Sequence, residues 1–262
     1  MFWGGVHPGH RRTSPTLDDP RCNAVVMTAR YDTVADDYAG HPDRYDQPAL
    51  ATLLRLVDDI SCGAALDLAC GHGLLTRQLA RRGLSVVGVD ISSGLIEHAR
   101  AIDAADPQEV TYLLGDASDP ATLAGRTFDL VTSNFGLSDI DDLEGLFSAV
   151  SMAIRPGGRF VFSILHPSFL GSGAVSGSWP SGSTYYDERW WRADGELSTL
   201  RSEVGANHRM LSTYINVASR HGLHVHRIEE PEPEADWTTE RPEAAAQPVY
   251  LVVDCRPCRT AS

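Results

Sequence analysis

From Pro48 to Leu165 the chain alternates short apolar runs with helical stripes, and this alternation constrains the fold more than any other feature. Pro48 suits a first helical position, and Leu50, Leu53, Leu54 and Val57 follow it on one helical face. Ala64–Cys70 reads as a buried strand ending in Gly71-His72-Gly73; a helix then runs through Arg82 and stops at Gly83. Val86–Asp90, Val110–Leu114, Phe128–Phe135 and Arg159–Leu165 read as the second to fifth strands. Ser92 or Ser93 caps a helix whose Leu95, Ile96, Ala99 and Ile102 share a face. Asp141 and Asp142 sit at the positive end of another, carrying Leu143, Leu146, Phe147, Val150 and Ile154, which Pro156-Gly157-Gly158 breaks. Regular strand–helix alternation implies an α/β fold: a mainly parallel sheet with helices on both faces.

The texture changes after His166. Residues 167–206 are first Gly/Ser-rich and then aromatic, with Trp179, Tyr185, Tyr186, Trp190 and Trp191. A helix follows with Leu211, Tyr214, Ile215 and Ala218 on one face and Gly222 past its end. Leu223–Ile228 and Val249–Asp254 read as the last strands, separated by the acidic, Pro-rich stretch Pro231–Pro248. Residues 1–29 are expected to be a flexible extension in which Met27 is a candidate start. Residues 30–262 are expected to form one domain.

The formal net charge of −13 works against a polynucleotide or an anionic membrane surface and favours a small-molecule partner. No apolar run is long enough to span a bilayer, and no basic-then-apolar leader opens the chain, so the cytoplasm is the expected location. All basic residues other than His are Arg, which excludes a Schiff-base or P-loop lysine. Cys22, Cys62, Cys70, Cys255 and Cys258 are scattered and odd in number, unlike a disulfide framework. The Cys255/Cys258 pair lacks two further ligands for zinc, and no metal site is expected.

Ligands of open parallel sheets bind beyond the carboxyl ends of the strands, where strand order reverses. Gly71 and Gly73 allow a tight turn and close backbone approach, and Asp90 can accept hydrogen bonds from a ribose diol. Dinucleotide and S-adenosylmethionine sites share those features. Three residues separate them. Thr76 stands where a dinucleotide fingerprint has its third glycine. Asp67 would repel a pyrophosphate but suits ammonium and sulfonium charge. Asp116 can accept from an adenine amino group.

The segments Ala64–Gly73, Val86–Asp90, Leu114–Asp116, Phe128–Asn134 and Arg155–Phe160 resemble class I S-adenosylmethionine-dependent methyltransferases. The resemblance covers roughly residues 30–254. It implies a Rossmann-like, doubly wound seven-stranded sheet with the last strand antiparallel, and S-adenosylmethionine as cofactor. It places Asp67, Ala69, Gly71 and Gly73 at the methionyl end, Asp90 and Ile91 at the ribose, and Asp116 and Ala117 at the adenine. The backbone of Asn134 would meet the amino group. Tyr31 and Tyr38 match an N-terminal helix that closes over the methionyl end, or they are helix-packing residues. The family often has Gly where Ala69 stands.

A sulfonium methyl is already activated, so a base is needed only for an acceptor that must lose a proton. His166, after the fifth strand, and His208, at the start of a helix, are the candidate catalytic residues. Phe162–Phe169, His208–Tyr214 and Glu229–Pro233 resemble a bacterial subgroup that methylates small molecules, often secondary metabolites such as antibiotics. Residues 166–207 would then be a substrate lid whose aromatic rings suit an aromatic or apolar acceptor, methylated on O, N or C. They could instead pack a homodimer interface or the domain's own core. Other readings of the same fold are a non-methylating reaction such as a cyclisation, a nicotinamide-dependent oxidoreductase and a non-catalytic binding protein.

Overall fold

A computed structural model describes residues 29–40, 47–169, 180, 182–193, 199–240 and 242–258. Its main sheet contains β1 (Ala64–Leu68), β2 (Ser85–Asp90), β3 (Val110–Leu114), β4 (Phe128–Asn134), β5 (Ile154–Leu165), β8 (Leu223–Glu229) and β9 (Tyr250–Pro257). Two short strands, β6 (Arg189–Trp191) and β7 (Ala206–His208), pair as a separate hairpin. The seven main strands lie in the order β3-β2-β1-β4-β5-β9-β8. β1 to β5 are parallel to one another, and β9 runs antiparallel to both β5 and β8. The implied Rossmann-like sheet is therefore present, with its switch point between β1 and β4.

The helices that position the site are α1 (Ala35–Gly40), α2 (Pro48–Leu56), α3 (Leu74–Ala80), α4 (Ser93–Ala105), α5 (Leu143–Ala153), α6 (Thr199–Glu203) and α7 (Leu211–Arg220). Successive β1 side chains point to opposite faces, and both faces are covered, so β1 carries no exposed polar alternation. Leu66 and Leu68 pack with Phe147, Phe160, Phe162 and Tyr214 under α5 and α7. Ala65 packs with Leu50, Leu53, Leu79 and Leu130 under α2 and α3. Ser92 Oγ accepts from Leu95 N (3.2 Å) and Asp142 Oδ1 from Gly145 N (2.8 Å), which sets the starts of α4 and α5.

Three boundaries differ from the sequence reading. The helix after the glycine loop ends at Ala80, and Arg81–Gly83 form a turn with Gly83 at φ +96°. The fifth strand starts at Ile154, because Ile154 pairs with Phe128 ahead of a register shift that absorbs Pro156-Gly157-Gly158. The glycines thus make an irregularity within a strand, where Gly158 comes close enough to Asp129 O that a Cβ would lie 2.9 Å from it. His208 closes the β6–β7 hairpin instead of starting the helix, which begins at Leu211. Of the expected extension over residues 1–29, residues 1–28, with Cys22 and Met27, lie outside the described residues, as does Trp179, whereas Ala29 is buried and accepts from Asp32 N. Among those described, no helix is long and apolar enough to cross a membrane, and no His/Cys/Asp/Glu group could hold a metal ion.

Candidate active site

The turn from β1 into α3 is built from three residues with left-handed backbone: Ala69 (φ +52°), Gly71 (+56°) and Gly73 (+81°). At Ala69 this costs roughly 1–2 kcal/mol, which a glycine would not incur. A second strained residue, Phe135 (φ +61°), follows the neighbouring β4, so both strands of the switch point lead into backbone strain. Gly73 is required by the protein itself, since a Cβ there would lie 2.5 Å from Tyr112 Oη. Gly71 differs: the nearest atom to its missing Cβ is Tyr38 Cε1 at 3.5 Å.

Asp90, at the end of β2, ties this turn to the next strand. Its Oδ2 accepts from Gly71 N and its Oδ1 from Ser92 N, both at 2.8 Å. A carboxylate offers about four acceptor sites, so two remain for a diol. Burial pushes Asp90 up to about 6, against the two N–H donors that favour its ionised form. Beside it, Ile91 is 37% exposed, an apolar surface next to the acceptor oxygens.

Asp67 lies under the turn. Thr76 donates to Oδ2 (2.6 Å) and Thr132 to Oδ1 (3.1 Å), and burial pushes the carboxyl up to about 7. Asp67 therefore braces α3 and β4 against β1, with one donor on each oxygen. Thr76, read from sequence only as a missing glycine, has a positive role as the hydroxyl donor. An acid followed nine residues later by a threonine was the available signal.

Past β3, Asp116 Oδ1 accepts from Ser118 N (2.8 Å) and Oγ (2.7 Å), and Ala117 is buried. Asn134 ends β4 with its Oδ1 accepting from Ser163 Oγ at 2.6 Å. The described structure thus brings Gly71, Asp90, Ile91, Asp116 and Asn134 to one edge of the sheet.

The N-terminal segment covers that edge. Tyr38 in α1 packs edge-on against His72 (5.5 Å between centroids) and against Tyr31 (5.4 Å). Tyr31 donates to Asp139 Oδ2 at 2.9 Å, and burial, then the charge of Asp139, hold its phenol protonated well above the usual range. Arg201 of α6 donates to the other oxygen of Asp139 and to Gly205 O (2.9 Å), and is itself buried. Arg30 reaches Asp139 O (3.2 Å) and Asp141, and its guanidinium lies 5.4 Å from the Trp190 ring centroid. One polar network therefore joins the N-terminal segment, the loop after β4 and the insertion. Asp139 and Arg201 escaped the sequence reading because their partners lie 62 to 108 residues away.

The two histidines are placed differently. His208 is buried, with Nε2 2.8 Å from Tyr185 O, and burial lowers its pKa. His166 lies past β5 at the same sheet edge as Asn134, with Ser168 on one side and Glu230 on the other. Cys255 is buried in β9 with its thiol pushed up to about 12, mainly by burial, and Cys258 is exposed.

A family model described as a methyltransferase domain matches residues 66–162. A crystal structure of an S-adenosylmethionine-dependent methyltransferase from Mesorhizobium loti superposes with a TM-score of 0.62 at 30% identity. It covers 80% of this chain and 96% of that one. A demethylmenaquinone methyltransferase from Symbiobacterium thermophilum is 31% identical over 169 residues, which is 59% of this chain and 62% of that protein. A ubiquinone biosynthesis O-methyltransferase from Hydrogenovibrio crunogenus is 29% identical over 122 residues, covering 47% and 51%. The chain spans about half to three fifths of the length of these curated relatives.

Proposed function

The chain belongs to the S-adenosylmethionine-dependent methyltransferases, and from that premise we propose that it transfers the cofactor's methyl group to a small, ring-bearing organic acceptor. The residues present fit the cofactor. Gly71 leaves open the space that a side chain would fill beneath Tyr38, and Asp90 keeps two acceptor sites for the ribose hydroxyls. When bound, the cofactor supplies an electrophilic methyl on a sulfonium.

In this reading Ala69, Gly71, Gly73 and Tyr38 bound the methionyl end, and Asp90 and Ile91 hold the ribose. Asp116 and Ala117 meet the adenine, and the backbone of Asn134 meets the amino group. Asp67 acts from below, through its hydrogen bonds to Thr76 and Thr132, by holding the turn in shape. Tyr31 secures α1 through Asp139. The lid is assigned to residues 166–207, of which 170–179, 181 and 194–198 lie outside the described residues, and Tyr185, Tyr186, Trp190 and Trp191 offer aromatic rings that suit a planar acceptor. The quinone-pathway names of the curated relatives favour a ring as well. Such a site works by orientation and by excluding water.

The observation that carries this reading is Asp90, buried at the tip of β2 and tied to Gly71. A nicotinamide-dependent oxidoreductase is disfavoured by the buried Asp67–Thr76 pair beneath the turn, where a pyrophosphate site needs a glycine. Calorimetry decides between them: S-adenosylmethionine and S-adenosylhomocysteine should bind, and NAD should not. Tight NAD binding without S-adenosylhomocysteine binding would overturn the proposal.

A further inference from the structure

Three side chains on the acceptor side of the sheet edge have no part in holding the cofactor. His166 follows β5, Glu230 follows β8, and Ser168 sits in the turn closed by Phe169 N donating to His166 O at 2.8 Å. The backbone N–H of His166 donates to Val249 O (2.8 Å), just before β9, so three strand ends lock the residue in place.

Both ring nitrogens of His166 are engaged. Nδ1 lies 3.1 Å from the backbone N of Ser168 and 2.6 Å from its Oγ, and Nε2 lies 3.0 Å from Glu230 Oε1. A backbone N–H can only donate, so Nδ1 is the acceptor and Nε2 carries the proton shared with Glu230. The ring is only 8% exposed, whereas Ser168 is exposed. A ring-sized acceptor cannot reach the imidazole directly, but it can reach the Ser168 hydroxyl.

We propose that Ser168, His166 and Glu230 form a proton relay that takes the proton from an acceptor hydroxyl, so that the acceptor is a phenol or quinol methylated on oxygen. This rests on the methyltransferase reading above. As the acceptor oxygen bonds to the methyl carbon and the carbon–sulfur bond breaks, its proton passes to Ser168 Oγ. The proton of Ser168 passes in turn to His166 Nδ1. The products are a methyl ether, a neutral thioether and an imidazolium held by the Glu230 carboxylate; the imidazolium then releases its proton to water. Ser168 is the catalytic residue, since it touches the acceptor, and His166 and Glu230 act through it. Burial lowers the pKa of His166 and Glu230 raises it; among the described residues, Glu230 is the charge acting on the ring.

Two measurements test the relay. Nitrogen-15 histidine NMR on the whole chain should show His166 as the Nε2–H tautomer, and Glu230→Gln should lower its titration midpoint by roughly half a pH unit or more. An Nδ1–H tautomer, or an unmoved midpoint, would overturn the relay. Methyl-labelled S-adenosylmethionine should label a pool of mono- and dihydroxyarenes, but not aniline or indole. Ser168→Ala, an exposed change, should lower kcat about 100-fold without altering KM for S-adenosylmethionine, and Glu230→Gln should shift the pH profile of kcat. Label only in aniline or indole, or none in the hydroxyarenes while the cofactor binds, would overturn the acceptor class, as would an unchanged rate in Ser168→Ala. Failure of S-adenosylmethionine to bind would instead count against the methyltransferase reading and leave the NMR result standing.

Discussion

The methyl group of Ala69 lies against Gly136, so close that a Cβ on Gly136 would sit 2.5 Å from it. The two residues follow β1 and β4, on either side of the switch point. Each constrains the other: the methyl at Ala69 is tolerated because Gly136 has none. Gly136→Ala should lower stability by about 1–3 kcal/mol through overpacking. Adding Ala69→Gly, which relieves the left-handed strain and removes the opposing methyl, should recover part of that loss, the remainder coming from Ser133 Oγ, 2.6 Å from the same Cβ. Chemical denaturation of the four proteins in the cycle measures the coupling, and additive effects would show that the two sites do not communicate.

If Asp90 holds the ribose as proposed, cofactor affinity should be pH-dependent, because burial pushes its carboxyl up to about 6 and only the ionised form accepts from both ribose hydroxyls. Binding therefore releases a proton below that pH, and affinity should fall as the pH drops from 7 to 5. Calorimetry across that range should show the decline in the parent. Asp90→Asn should bind more weakly at pH 7 and lose the dependence.

Thr76→Val keeps the shape of the side chain and removes the donor to Asp67. The expected cost is about 1–3 kcal/mol at pH 8, where the buried carboxylate is ionised. Sign follows from the raised pKa of about 7: the folded state binds a proton that the unfolded state releases above the ordinary carboxylate pKa. Burial of Asp67 therefore costs most above pH 7 and least on acidification. The penalty of Thr76→Val should shrink by pH 5.5, and urea midpoints at the two pH values would show it.

Tyr31 and Arg201 act on one carboxylate, that of Asp139, from two covers of the site. Tyr31→Phe should cost about 1.5 kcal/mol as a hydrogen bond to a charged group. Arg201→Met should cost about 2 kcal/mol, less than a fully buried pair because Asp139 is partly exposed. If α1 and the insertion close as one unit, each change should weaken S-adenosylmethionine binding, and the double variant should be little worse than the stronger single one. Additive losses in calorimetry would separate the two covers.

The periodic part of the chain was readable because its signals are local. Leu50, Leu53, Leu54 and Val57 mark α2 by spacing alone, Ser92 caps α4, and the turn of Gly71 and Gly73 is tied to Asp90. The strand boundary at Ile154 was hidden because a Pro-Gly-Gly tripeptide signals a loop whether or not a neighbouring strand absorbs it. The bracing contacts of Asp67 were hidden because its two hydroxyl donors come from α3 and β4, and the latter lies 65 residues away. The Tyr31–Asp139–Arg201 contacts join segments with no shared periodicity, and only the folded chain reveals them.

Strand order also divides the protein by origin. The residues proposed for the cofactor between Asp67 and Asn134 come from β1 to β4 and the turns after them and leave the ribosome as one block, and the family match ends at residue 162. Ser168, Glu230 and the hairpin all come later and approach from the β5-β9-β8 side. A lineage could exchange the acceptor-side segments beyond β5 and keep its proposed methyl supply only if it also kept, or replaced, the contact of Arg201 with Asp139. The two halves of the reaction are thus separable along the chain except at that carboxylate.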